Sequence, residues 1–212
     1  MRGADFLTLS QWLSPAYPVG SFVFSQGLER AVADGLVCDA ATLEAWLRDS
    51  LAMGSLRNDA ILLACAARPE ADLAALSELA TALTPAAERR AEARALGAAF
   101  AATTRAVWEL DLPDAPYPVA VGRASGLAGL PTGPVLQLYL QAGTSSQVQA
   151  ALRLMPLGQT AGARVLAALA PDCLALAQEA EGADTEDLGS CTLAADIAMM
   201  RHETLGSRIF RS

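Results

Sequence analysis

The sequence predicts an all-α chain, a single-domain bundle of about ten helices. Three observations carry that prediction. Alanine, about a fifth of the 212 residues, and leucine dominate, while only 5% are aromatic and β-branched residues are few, a balance that favours helix over sheet. Apolar residues recur at helical spacing, with no convincing period-2 run and no internal repeat. The segments are joined by short connections rich in proline and glycine, which suits one bundle over residues 1–212 with a C-terminal tail at 204–212.

The elements follow in order. Residues 5–13 form a short helix with Phe6, Leu9 and Leu13 on one side. Two prolines and Gly20 make 14–20 a loop. Ser21 is placed to cap a helix running to about Asp34 and closed by Gly35. Asp39 or Thr42 caps the next, in which Leu43, Trp46, Leu47 and Leu51 share a face. Gly54-Ser55 interrupts it, Arg57 to Ala67 continues, and Pro69 ends the segment. Asp72 opens a helix through Leu83, and Pro85 starts a long one to about Leu110. Asp111 to Pro118 is a loop, followed by a small-residue helix from Val119 to Leu130 and another beginning at 131–134. Gly158 separates that helix from the next, which Pro171 is expected to break at Ala170. Residues 179–187 read as an acidic linker, and a last helix spans Thr192 to Glu203.

Composition excludes much chemistry. All 15 basic residues are arginine, so no P-loop lysine and no Schiff base are available. His202 is the single histidine, which rules out a multi-histidine metal site. A net charge of −8 argues against nucleic acid. The longest uncharged stretch, Ala124 to Leu152, is interrupted by glycines and prolines and carries four glutamines, so a membrane span is rejected. No signal peptide is visible at the start, and a cytoplasmic location is expected. Cys38, Cys65, Cys173 and Cys191 lack metal-site spacing and read as buried free thiols. The acidic linker reads as a solvated connection rather than a cation cage, and Met199-Met200 as core or interface. The charge run Glu88, Arg89, Arg90, Glu92, Arg94 reads as a solvated helix face with local ion pairs. His202, in an exposed-looking Arg-His-Glu triplet, is a weak candidate for a metal or a catalytic base.

Two segments ask for more. In 14–35, Phe22 and Phe24 lead into Ser25, Gln26 and a mid-helix Gly27 that costs about 1 kcal/mol against alanine. In 153–169, Pro156 and Gly158 force a kink, with Gly162 beyond it. Each reads as a tight helix corner or as a partner surface.

These segments carry a resemblance. Leu13-Ser14-Pro15, Pro18 to Phe22, Ser25 to Glu29, Glu88 to Gly97, Pro156 to Thr160, and the ending Arg201 to Thr204 with Ser207 to Ser212 stand in the order and spacing of one family. The chain resembles the UreF family of urease accessory proteins from about Phe6 to Ser212. The resemblance implies an all-α homodimer without catalysis or a stably bound cofactor. It implies a scaffold bridging UreD (also called UreH) and the GTPase UreG on apo-urease. Nickel would be in transit through an internal path, and GTP would sit on UreG. It further implies that the tail packs against UreD, with residues near it facing UreG. The partner-binding candidates are Tyr17, Phe22, Ser25, Glu29, Gln159, Arg201, His202, Glu203, Arg208, Phe210 and Arg211, with Arg208, Phe210 and Arg211 as exposed anchors in a tail expected to be loosely ordered without its partner. Two alternatives stay open. One is a GTPase-activating protein acting on UreG through an inserted arginine, Arg211 or Arg201. The other is a nickel metallochaperone using His202 and the cysteines.

Overall fold

The computed structural model describes residues 2–212. Ten α-helices run in the order α1 (Gly3–Trp12), α2 (Leu28–Ala33), α3 (Ala40–Met53), α4 (Ser55–Ala67), α5 (Leu73–Ala82), α6 (Ala87–Trp108), α7 (Tyr117–Leu127), α8 (Thr132–Leu154), α9 (Gln159–Gly182) and α10 (Leu193–His202). No strand occurs among the described residues. Local chemistry sets the boundaries. Asp39 caps α3 by accepting from the Thr42 amide, and the Asp72 carboxylate accepts from Ala74 and Ala75 at the start of α5. Pro118 sits in the first turn of α7, where its missing N–H costs nothing, so that helix begins two residues earlier than expected.

The centre of the bundle is α4, in which an unbroken run from Ala60 to Ala66 is buried. It touches α3, α5, α7, α8 and α9. The closest approach is to α7, across Gly122 and Gly126. A Cβ on Gly122 would lie 2.2 Å from the Leu63 carbonyl oxygen, and one on Gly126 2.3 Å from that of Ala67. The small residues of α7 are therefore a packing requirement. A second core layer is aromatic: Trp12 meets Phe100 and Trp108 edge-on, and Tyr17 packs on Phe100 and hydrogen-bonds Thr104 at 2.9 Å.

Four expectations are corrected. Pro171 does not end its helix: α9 continues to Gly182. Val165 and Leu169 before the proline and Cys173, Leu176, Ala177 and Ala180 after it are all buried, and packing on both sides outweighs a cost of about 3 kcal/mol. This helix is long and apolar enough to cross a bilayer, yet it lies against α3, α4 and α8. The helix expected from Ser21 to Asp34 is instead a 3₁₀ turn at Ser21–Val23, an extended stretch, and α2. Gly27 is not inside a helix but precedes one, at φ +80 against the backbone of Met199, where a Cβ would come within 2.8 Å. The acidic segment 179–187 is no free linker: Arg57 pairs with Glu179 and donates to the Asp187 carbonyl, Arg68 pairs with Asp184, and Glu181 accepts from the Gly133 amide. Of the cysteines, Cys65 and Cys173 are buried, but Cys38 and Cys191 are exposed, because both lie in the connections flanking helices rather than on an inward face.

A seat for the C-terminal tail beside a polar-walled cavity

The first three turns of α6 are not a solvated face. Arg89 and Glu92 stand seven and four residues before Leu96, and eleven and eight before Phe100, so they share the stripe that those residues bury. Glu92 is 1% exposed. Arg89 bridges it at 3.0 Å and reaches Asp59 of α4 at 3.5 Å, and Tyr139 of α8 donates to the same Asp59 oxygen at 3.1 Å. Burial pushes the Asp59 carboxyl up, against the opposing pull of Arg89 and the Tyr139 hydroxyl. Burial chiefly, with the neighbouring Asp59 charge, holds the Tyr139 hydroxyl well above the ordinary phenol range. The Arg89 Nε–H has no partner among the described residues.

This cluster forms the floor of a cavity of about 750 Å³. One wall is apolar, with Leu9, Leu13, Phe22 and Phe24. The other carries the amides and hydroxyls of Gln141, Ser145, Ser146 and Gln149 from α8, and Gln159 at the start of α9. The long uncharged stretch of the sequence therefore supplies one side of a partly open cavity.

The tail closes the near side. Phe210 is 2% exposed and, with Phe24 and Glu92, lines both this cavity and a smaller one on its other side. The Arg153 guanidinium lies 4.3 Å above the Phe210 ring and donates to the Phe22 carbonyl at 2.8 Å. The Arg211 amide donates to the Val23 carbonyl, and the Ser25 amide and hydroxyl both donate to the main-chain oxygen of Ser212. The Ser212 hydroxyl donates to Glu92 at 2.6 Å. Glu29 of α2 accepts from the amides of Ile209 and Phe210 at 2.6 and 3.0 Å. His202 is fully buried on the inner face of α10, with Ala198 and Met199. Its ring nitrogens lie 3.1 Å from Glu29 and 2.7 Å from Glu88, and Arg208 pairs with the other Glu88 oxygen. Burial would raise the Glu88 carboxyl, but the His202 and Arg208 bonds outweigh it and hold the group below the usual range.

The eleven candidate residues therefore divide. Tyr17 belongs to the aromatic core. Ser25, Glu29, His202 and Phe210 build the tail seat from inside, so Phe210 is no exposed anchor and the His202 triplet is not exposed at its centre. Three of the tail's amides and one aromatic ring have partners within the chain. Phe22, Gln159, Arg201, Glu203, Arg208 and Arg211 keep outward surface. Arg201 is held by Asp34, and Glu203 caps α6 through the Ala87 amide. Arg211 makes no side-chain hydrogen bond or ion pair among the described residues. Arg89, Glu92 and Asp59 were missed as buried residues, although their spacing from Leu96 and Phe100 carried the signal for the first two.

Comparison with known proteins decides the family. The family model described as UreF matches residues 37–170. The urease accessory protein UreF of Cereibacter sphaeroides is 51% identical over 209 residues, covering 99% of each chain. Those of Roseobacter denitrificans and Methylobacterium radiotolerans are 46% and 47% identical, covering 98% of this chain and 94% and 97% of their own. The chain belongs to the UreF family. As a UreF-family protein it has a role in urease maturation.

Proposed function

We propose that the chain is a non-catalytic scaffold that holds UreD (UreH) and the GTPase UreG together on apo-urease and passes nickel toward the urease active site. The match to UreF proteins along almost the entire chain carries this reading. The structure supports it in two ways. Outward-facing Phe22, Ile209 and Arg211 flank one ordered tail, an apolar and arginine surface of the kind that serves as an interface anchor. The cavity has a polar wall of uncharged side chains and a charged floor, which suits passage of a hydrated cation rather than its storage. The nucleotide belongs to UreG and the metal is cargo. The chain acts as a homodimer in the cytoplasm.

Co-purification with UreD tests the scaffold. The full chain is expected to form a stable complex, and a chain lacking residues 206–212 is expected to lose it. Equal binding by the truncated chain would remove the tail from the interface. The unpaired, exposed Arg211 favours one second reading, an arginine inserted into the UreG site. Arg211→Ala that still binds UreG but slows its GTP turnover by about a thousandfold or more would establish that reading instead.

A further inference from the structure

The only imidazole in the chain sits between two carboxylates behind the tail. His202 Nε2 faces Glu29 Oε2 at 3.1 Å, and Nδ1 faces Glu88 Oε2 at 2.7 Å. A carboxylate only accepts, so both contacts are hydrogen bonds only when both ring nitrogens carry a proton. The docked arrangement therefore needs the imidazolium.

Every element packed against the ring contributes to the charge balance. Glu29 comes from α2, Glu88 from α6 and Arg208 from the tail. On α10 itself, Arg201 is turned to Asp34 and Glu203 to the Ala87 amide. With the ring charged, two carboxylates meet two cations. With the ring neutral, one carboxylate faces a nitrogen lone pair and one negative charge is left over, beside a ring that is fully buried and a Glu29 that is nearly so. Glu29 is also the acceptor for the Ile209 and Phe210 amides, and Glu88 pairs with Arg208, so whichever carboxylate loses its ring partner is a group that holds the tail.

We propose that residues 207–212 are a proton-dependent latch: the fully docked tail requires the imidazolium form of His202, and loss of that single proton loosens the tail, shifting it toward an open state in which both carboxylates are solvated. The latch is a property of the chain alone. Only its consequence, presentation or withdrawal of a partner-facing tail, rests on the proposed function.

The test is an NMR titration of the full chain, following the His202 ring signals and the Ile209 and Phe210 amides from about pH 5.5 to 9.5. The ring and both amides are expected to move with one midpoint. Hydrogen exchange of those amides, corrected for its intrinsic pH dependence, should be faster at the alkaline end by roughly tenfold or more, as befits one unmatched charged hydrogen bond. In His202→Gln the tail amides should show no such transition. A ring that titrates while the amides stay docked overturns the proposal, as does a ring that keeps its proton throughout. A tail transition retained in His202→Gln overturns it as well. The wild-type titration decides the matter even where that variant does not fold. A latch that works in a chain that fails to bind UreD would leave the latch standing and remove the scaffold reading.

Discussion

Glu92→Ala should be among the most damaging single substitutions in this chain. The carboxylate is 1% exposed and has three partners: Arg89 at 3.0 Å, Gln26 at 3.0 Å, and the Ser212 hydroxyl at 2.6 Å through its other oxygen, with Arg89 shared onward to Asp59. Its removal leaves the Arg89 guanidinium, whose Nε–H is already unpartnered, facing only Asp59 at 3.5 Å. Breaking a buried ion pair from one side costs about 3–5 kcal/mol, a large share of an ordinary stability of about 5–15 kcal/mol. With a urea m-value of about 2 kcal/mol/M, the unfolding midpoint should fall by roughly 2 M. Equilibrium urea unfolding followed by circular dichroism reads this directly. The double variant Arg89→Met/Glu92→Leu should recover most of the loss, because it removes both charges and Asp59, whose carboxyl burial already pushes up, can take a proton. A drop of less than about 1 kcal/mol for Glu92→Ala would refute the reasoning and show that cavity water already solvates the cluster.

Other outcomes follow from the same structure. Gly122→Ala puts a methyl 2.2 Å from the Leu63 carbonyl oxygen and should destabilise by about 1–3 kcal/mol or more, measured by the same unfolding assay. Two of the four thiols, Cys38 and Cys191, should react with an aromatic disulfide reagent in the native chain and all four in denaturant, since burial pushes the Cys65 and Cys173 thiols up. The Glu88 carboxyl is held below its ordinary value of 4.5, so its contribution is complete above that pH and is lost as pH falls through the lower, folded-state value. Tail amides should therefore lose their docked NMR signals in acid before the core of α4 does, and Glu88→Gln should diminish that acid step.

Much of the bundle could be read from residue order alone. Asp39, Asp72 and the glycines and prolines between segments act within a few residues, and the boundaries of α3, α5 and α8 followed from them. The failures have a different physics. Pro171 carries a local cost that only the partners of α9 repay. Gly27 looks like a weak point in a helix until the backbone of Met199, brought from the far end of the chain, occupies the place of its side chain. Arg89 and Glu92 pair locally in a way that a solvated helix face would also show, and Asp59, which makes the pair a buried triad, lies thirty residues earlier. His202 reads as exposed within Arg-His-Glu, yet it falls three and four residues after Met199 and Ala198, on the buried stripe of α10. Family resemblance pointed to the tail as a functional segment but not to its seat. That seat is assembled from α2, α6, α10 and the turn at Ser21–Val23, which no local pattern brings together.

The proposed role, an adaptor in nickel delivery, is tested most directly by the urease activity regained by apo-urease supplied with UreD, UreG, GTP and nickel, with and without this chain. Activation is expected with the full chain, and only background with no chain or with a chain lacking residues 206–212. Equal activation in all three mixtures would contradict it.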